Sequence, residues 1–152
     1  MIFRQFKTAP ASRYSYLMAD EDAKEAIIID PVNKDVDLYL QIIADLDLEL
    51  KYTLNTHIHP EHYTLSTKNS DHISGSYLLK EKTECKHVMH KNADIDYVDI
   101  KVDDNDTLYF GKYTLKAIFT PGHTDHHCSY IVDDRLLTGD SLFINGCGRT
   151  DF

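Results

Sequence analysis

The sequence lacks three features that would place it in a particular class of protein: a long apolar run, a basic cluster and a cysteine pattern. No apolar run approaches the roughly 20 residues that a helix needs to cross a bilayer, so no membrane-spanning helix is predicted. A net charge of −9 without a lysine or arginine cluster would repel a phosphate backbone. With 42% hydrophobic and 27% charged residues, the composition is globular. We therefore expect neither a membrane nor nucleic acid as a partner.

The three cysteines, Cys85, Cys128 and Cys147, are odd in number and form no CxxC pair. This favours a reducing compartment over a disulfide framework. The N-terminus has no uninterrupted apolar core behind basic residues, so no secretory signal is predicted. We expect the protein in the cytoplasm or an organelle matrix, and in the mitochondrial matrix if a presequence has been removed.

Strand-like and helix-like segments alternate along the chain, with no repeat and no linker rich in proline, glycine or serine. The length fits a single domain over residues 1–152. Asn33 or Asp35 is predicted to cap the first helix, and Asp133–Asp134 to form a hairpin turn. The predicted strands are 1–6, 14–18, 26–29, 51–56, 86–90, 107–110, 112–120, 129–132 and 136–138, and the predicted helices are 37–46 and 72–81. The fold class that follows is α/β (α+β).

Histidine and aspartate residues follow several of the predicted strands. His57 and His59 alternate at the end of one strand, so that both imidazoles point the same way. His123 follows a proline-glycine bend, and Asp140 follows another strand. Because a rigid sheet holds its strand ends in place, side chains that are distant in sequence can converge there. A carboxylate beside histidines balances the charge of a divalent ion, and the pattern therefore predicts a metal site.

Each of these motifs alone has a plainer explanation. The histidines could be solvated surface residues, the bend before His123 only a turn, and Asp140 a helix cap. The concentration of His57, His59 and His62 within six positions of an acidic chain favours metal binding instead. We expect solvated or structural roles for the other histidines, which are His62, His87, His90, His126 and His127.

In chain order, the motifs THIH at 56–59, TPGHT at 120–124 and TGD at 138–140 resemble those of the metallo-β-lactamase superfamily. The resemblance covers essentially the whole chain. It implies the αββα sandwich of that superfamily, in which these loops gather at one edge.

Further segments are similar to one branch of that superfamily, the persulfide dioxygenases. They are FRQF at 3–6, SYLMAD at 15–20, EAIIIDPV at 25–32, NTHIH at 55–59 and GCGRTDF at 146–152. The GRTDF ending distinguishes these dioxygenases from the glyoxalase II hydrolases, which share the earlier motifs.

The resemblance implies an iron enzyme that oxidises glutathione persulfide with O2 to sulfite and glutathione. One Fe(II) per chain would be held by His57, His123 and Asp140. Two histidines and one carboxylate on one face of the ion are the ligand set of many non-haem iron oxygenases. The implied partners are therefore a small thiol persulfide and O2.

Other residues would act around this ligand set. His59, Asp71 and His72 would support the ligands or hold a second metal. Arg149, the arginine of the GRTDF motif, would either fix the site architecture by pairing with a carboxylate or contact the anionic substrate. Cys147 is not assigned a catalytic role.

The chain departs from the family pattern in two places. The family reads THxHxDHxxG without interruption, whereas here residues 60–70 follow His59 and are predicted to be an insertion. Asp71 and His72 are preferred as the continuation over Glu61 and His62, because a glycine and a helical apolar pattern follow them. Similar proteins also extend beyond GRTDF. We therefore expect a C-terminally truncated sandwich with an apolar face that is either covered by something else or left exposed.

Two other functions stay open. The first is a glyoxalase-II-like thioester hydrolase with zinc, or with a dinuclear zinc/iron centre. Its first ion would be held by His57, His59 and His123, and its second by Asp71, His72 and a bridging Asp140. The second is a degenerate metal-binding module without catalysis. The sequence also leaves open a homodimer.

Overall fold

The computed structural model describes residues 1–8, 13–58 and 75–151. Its strands are β1 (Ile2–Thr8), β2 (Arg13–Asp20), β3 (Glu25–Ile29), β4 (Glu49–Leu54), β5 (Lys86–His90), β6 (Ile100–Val102), β7 (Thr107–Phe110), β8 (Tyr113–Phe119), β9 (Cys128–Val132) and β10 (Arg135–Leu137). The α-helices within these ranges are α1 (Val36–Asp45) and α2 (Gly75–Thr83), and short 3-10 helices cover Asn33–Asp35 and Gly139–Ser141. No helix in the described ranges is both long and apolar enough to span a membrane.

The strands form two sheets. One has the order β1-β2-β3-β4-β5-β6, antiparallel from β1 to β3 and parallel from β3 to β6. The other is antiparallel with the order β10-β9-β8-β7. The predicted hairpin is confirmed, since Val132 pairs with Arg135 across Asp133–Asp134. The sequence missed β6, whose three residues are too few to show an alternating pattern.

The first sheet is buried on both faces around β3. Ala26 to Ile29 are all fully buried, as expected of a strand whose neighbours cover both sides. Ile27 and Ile29 pack between the two sheets, in the cluster that includes Leu54, Leu115 and Tyr130 from other strands. The alternate residues, Ala26 and Ile28, pack against the helices. The α/β two-sheet sandwich that the sequence predicts is therefore confirmed.

Helix α1 is confirmed, but its predicted cap works differently. Asp35 occupies the position before the helix and makes no side-chain cap hydrogen bond. Its carboxylate instead accepts a hydrogen bond from the hydroxyl of Thr8, which ties the end of β1 to the start of the helix. The helix buries Tyr39 and Ile43 against the first sheet, so packing rather than capping holds it in place.

The outer face of the second sheet carries apolar side chains. Tyr109, Ile131 and Leu136 are 60%, 36% and 53% exposed, while their strand neighbours are buried in the sandwich. Both described α-helices lie on the opposite side, against the first sheet. Thr107, Thr114 and Lys116 lie on the same face by the strand register, and the apolar face expected of a truncated sandwich stays a prediction.

A buried polar cluster centres on Asn55, directly after β4. The Asn55 side-chain oxygen accepts hydrogen bonds from Ser76 Oγ (2.7 Å) and His87 Nε2 (2.9 Å). Its main-chain oxygen accepts one from the Tyr130 hydroxyl (3.0 Å). The cluster therefore joins β4 to α2, to β5 and to the facing sheet. His87 is fully buried and stacks on Tyr97, so its role is structural and not solvated.

Burial of His87 gives the fold a dependence on pH. Burial lowers the pKa of its imidazole from 6.5 to about 4, and the nearby Asp99 carboxylate only partly offsets this. The unfolded chain therefore binds the proton more tightly, and stability falls as the pH drops from 6.5 towards 4. Between about pH 7 and about pH 5, His87 alone should lower the free energy of unfolding by about 2 kcal/mol.

Denaturant titrations of the protein and of His87→Gln at the two pH values test this expectation. Glutamine retains an N–H that can donate to Asn55 but does not titrate. On acidification, the free energy of unfolding of the variant should fall by about 2 kcal/mol less than that of the unaltered protein. Equal losses would contradict the assignment of this pH dependence to His87.

Candidate metal centre

The structure brings together the three residues predicted to be iron ligands. His57 follows β4, His123 follows β8, and Asp140 lies in the 3-10 helix after β10. One ligand atom from each lies within 4.8 Å of the others. Nε2 of His57 and Nε2 of His123 are 3.9 and 3.5 Å from Oδ2 of Asp140. The two imidazoles are buried, whereas the Asp140 side chain is 40% exposed, so the cluster reaches solvent on the carboxylate side.

A chain of hydrogen bonds orients His57. The Thr56 hydroxyl donates to Oδ2 of Asp30 at 2.9 Å, so its oxygen can accept the Nδ1–H of His57, also at 2.9 Å. The Thr56 main-chain N–H donates to the other oxygen of Asp30 at 2.7 Å. With its proton on Nδ1, His57 turns the lone pair of Nε2 towards Asp140.

Asp30, which directly follows the predicted strand 26–29, contacts the candidate site through Thr56, the residue before His57. Its φ of +50° lies in the left-handed region, which is uncommon for a residue other than glycine. This conformation follows β3 directly and places the carboxylate against Thr56. Burial raises the pKa of Asp30 to about 7, and the charge of Asp140 adds to the increase. The position of Asp30 directly after β3, the neighbour of β4, was the one feature of the sequence that could have indicated its place near His57.

His123 is oriented by the main chain of the last segment. The carbonyl oxygen of Arg149 lies 2.8 Å from Nδ1 of His123, and because a carbonyl only accepts, Nδ1 carries the proton. Nε2 then faces Asp140, as in His57. The Arg149 guanidinium pairs with both oxygens of Asp151, at 2.6 and 2.9 Å, in an exposed position. Its contact with a substrate stays a prediction.

Gly148 lets this segment approach two ligands closely. Its N–H donates to the main-chain oxygen of Asp140 at 2.8 Å. A Cβ at position 148 would lie 2.4 Å from that same oxygen and 2.7 Å from Nδ1 of His123. Glycine is therefore the residue that fits between the two ligands. A Cβ at Gly146, two residues earlier, would meet nothing within 4 Å.

All six histidines that the structure describes are buried. Of the two roles expected for those outside the ligand set, solvated or structural, the described ones have the structural one. In His126, Nε2 accepts the N–H of Ile58 at 2.9 Å and Nδ1 lies 2.9 Å from Oδ1 of Asp125. His126 therefore ties the segment after β4 to the segment between β8 and β9. His90 stacks on Phe119 with 4.1 Å between the ring centres. These roles are structural.

The other predicted site residues lie outside the described part of the chain. They are His59, Asp71 and His72, together with residues 60–70 and the alternatives Glu61 and His62. Their contribution to the ligand set, or to a second metal, stays a prediction.

The described residues fit one divalent transition-metal ion. Two imidazole nitrogens and one carboxylate converge from one side, and each Nδ1 is held by an oxygen atom, so both Nε2 atoms face the same place. The single carboxylate offsets part of the charge of such an ion. This donor set suits iron(II) and also zinc(II).

Comparison with known proteins gives the site a family context. A profile of the metallo-β-lactamase superfamily matches residues 69–152. The human mitochondrial persulfide dioxygenase ETHE1 is 34% identical over 100% of this chain, which spans 57% of that protein. A hydroxyacylglutathione hydrolase of Pelagibacter ubique is 38% identical over 90% of this chain and 54% of its own length. The crystal structure of ETHE1 from Myxococcus xanthus superposes with a TM-score of 0.88 at 39% identity, over 100% of this chain and 63% of that one.

The close approach at Gly148 yields a matched pair of variants. In Gly148→Ala, the new Cβ must displace His123 or the turn that carries Asp140, because both contacts are shorter than real Cβ atoms show. Zinc(II) affinity should fall by about tenfold to a hundredfold, as when a residue supporting a ligand is lost. Overpacking should also cost about 1–3 kcal/mol of stability.

Gly146→Ala serves as the control, since the site of its Cβ is open. It should change stability by less than about 0.5 kcal/mol and leave the metal affinity unaltered. Isothermal titration with zinc(II) measures the affinities, and thermal unfolding measures the stability. Equal zinc affinity in the two variants would show that the close approach of Gly148 does not constrain the ligands.

Proposed function

The chain belongs to the metallo-β-lactamase superfamily, and from this premise we propose that it is an iron(II)-dependent persulfide dioxygenase. The proposed reaction oxidises glutathione persulfide with O2 to sulfite and glutathione, with water completing the balance of atoms. The observation that carries the proposal is the cluster of two histidines and one carboxylate. The similarity of the whole chain to persulfide dioxygenases supports it. The chain spans 57% of the length of those relatives. That it has the activity of the full-length relatives is therefore proposed here.

In this proposal, His57, His123 and Asp140 hold one iron(II) ion per chain. When bound, iron(II) would supply positions for the persulfide sulfur and for O2 on the side that the three ligands leave open. The Thr56 hydroxyl and the Arg149 carbonyl keep the Nδ1 protons in place, so the imidazoles bind in the neutral form. The exposed side of the Asp140 carboxylate is where substrate would enter.

The remaining partners and the location follow from the same proposal. The substrates are a small thiol persulfide, glutathione persulfide first among them, and O2. A mitochondrial or other organelle matrix agrees with the mitochondrial relatives, and the cytoplasm is the alternative. A homodimer stays open.

A thioester hydrolase is the second candidate, because hydroxyacylglutathione hydrolases are also similar to this chain, at 33% and 38% identity. In that case His59 would join His57 and His123 at one ion, and Asp71 and His72 would help to hold another. The hydrolase therefore predicts two metal ions per chain, and the dioxygenase predicts one.

Oxygen consumption distinguishes the candidates. The purified chain, reconstituted anaerobically with iron(II), should take up O2 on addition of glutathione persulfide and release sulfite. It should contain about one iron per chain, the number that one facial set of ligands can hold. Two metals per chain, with hydrolysis of S-lactoylglutathione and no oxygen uptake, would favour the hydrolase. Metal binding without either activity would favour a degenerate binding module.

Ligand variants test the assignment of the site. His123→Ala and Asp140→Asn should lower iron affinity and oxygen uptake by more than the roughly hundredfold that losing a supporting residue costs. Asp134→Asn, an exposed aspartate in the β9–β10 turn, is the control and should behave as the unaltered protein. Full iron content and oxygen uptake in either ligand variant would contradict the proposed site.

A further inference from the structure

His127 touches all three segments that carry the proposed metal ligands. Its ring is fully buried, directly before β9. It stacks on the ring of His57, with 5.0 Å between the centres and 19° between the planes. It meets the ring of His123 edge-on at 6.2 Å and 79°. Its Nδ1 lies 2.8 Å from Oγ of Ser141, the residue after Asp140.

Hydroxyl groups contact the Nδ1 edge of this ring. Thr120 Oγ1 lies 3.0 Å from Nδ1 of His127, and Ser141 donates to Thr120 Oγ1 at 3.1 Å. Thr120 Oγ1 also lies 2.9 Å from Ser129 Oγ. The main chain adds a bond from the Thr120 N–H to the carbonyl of His127 at 3.0 Å. These bonds join the end of β8, the start of β9 and the turn that carries Asp140.

The turn with Asp140 packs directly against His127. Gly139 has a φ of +48°, and a Cβ there would lie 3.0 Å from Nε2 of His127 and 2.4 Å from Oγ1 of Thr56. The backbone before Asp140 therefore rests on His127 on one side and on the residue before His57 on the other. A displaced His127 ring would shift the turn and His57 together.

We propose that His127 is a positioning residue of the metal centre. One face of its ring sets the plane of the His57 imidazole, and its Nδ1 edge anchors the turn that places Asp140. The inference rests on the proposal that His57, His123 and Asp140 bind a metal ion. It does not depend on which reaction that ion supports.

His90 provides the matched comparison. It is also buried and stacks flat on an aromatic ring, that of Phe119, at 4.1 Å and 6°. Its Nδ1 accepts a hydrogen bond from the N–H of Asn92. It differs from His127 in that its stacking partner is not a proposed ligand. If substitution affects core packing alone, the loss of thermal stability should therefore be similar at the two positions.

Two substitutions at each position separate stacking from hydrogen bonding. His127→Phe keeps a flat ring against His57 but removes the bonds to Thr120 and Ser141. His127→Asn keeps a polar group near the position of Nδ1 but removes the ring. The controls are His90→Phe and His90→Asn. Cobalt(II) is the probe, because its visible absorption reports ligand geometry, and thermal unfolding of the metal-free chain reports stability.

Both His127 variants should bind cobalt(II) about tenfold or more weakly than the unaltered protein, with a changed visible spectrum. The His90 variants should lose comparable thermal stability and keep the cobalt affinity and spectrum. If the His127 variants match the unaltered protein in affinity and spectrum, His127 only fills the core and the proposal is wrong. Failure of the unaltered protein to bind cobalt(II) would overturn it as well.

Ser141→Ala decides the question if neither His127 variant folds, because it removes a half-buried hydroxyl and leaves the ring in place. The expected result is weaker cobalt binding with a changed spectrum, and unaltered binding would overturn the proposal. Oxygen uptake by the iron-loaded, unaltered chain tests the dioxygenase function separately from the positioning role of His127. Its absence, together with weakened cobalt binding in the His127 variants, would contradict the dioxygenase function and support the positioning role.

Discussion

The candidate metal centre depends on one junction between the two sheets, a main-chain hydrogen bond of 2.8 Å from the N–H of Cys128 to the carbonyl of Thr56. Thr56 directly precedes His57, and Cys128 follows His127. A buried amide that loses its partner costs about 1–3 kcal/mol, so the two strand ends are held in register. The hydroxyl of Tyr130, bonded to the carbonyl of Asn55, strengthens the same junction. Because this bond holds the end of β4 against the start of β9, residues that follow strands of different sheets can lie close together.

The sequence predicts the ligands better than it predicts what supports them. His57, His123 and Asp140 each follow a strand, and strand ends on one edge of a sandwich converge, so local patterns were sufficient to predict their proximity. Asp30, Gly148 and His127 act through contacts with residues far away in the chain, and no local pattern indicates those contacts. Beyond the two-sheet fold, the proposed metal and the proposed reaction rest on the resemblance to a family with known motifs.

The buried histidines show what amino-acid composition leaves undecided. Polar side chains in an acidic chain are usually exposed, and a nearby carboxylate would keep an imidazole charged. Desolvation outweighs that effect here, as His87 shows, where burial lowers the pKa to about 4 in spite of Asp99. His126 is buried because it accepts the N–H of Ile58, a contact across 68 positions. The partner of His126 is distant in the chain, so composition could not reveal it.

The two glycines against the site, Gly139 and Gly148, have a consequence for how an ion would be captured. Where side chains are absent, the main chain itself sets the spacing of His57, His123 and Asp140. The conformational entropy of gathering these donors is then lost during folding and not at the moment of binding. The candidate site would then act as a preorganised chelator, whose described donors need little rearrangement when an ion binds.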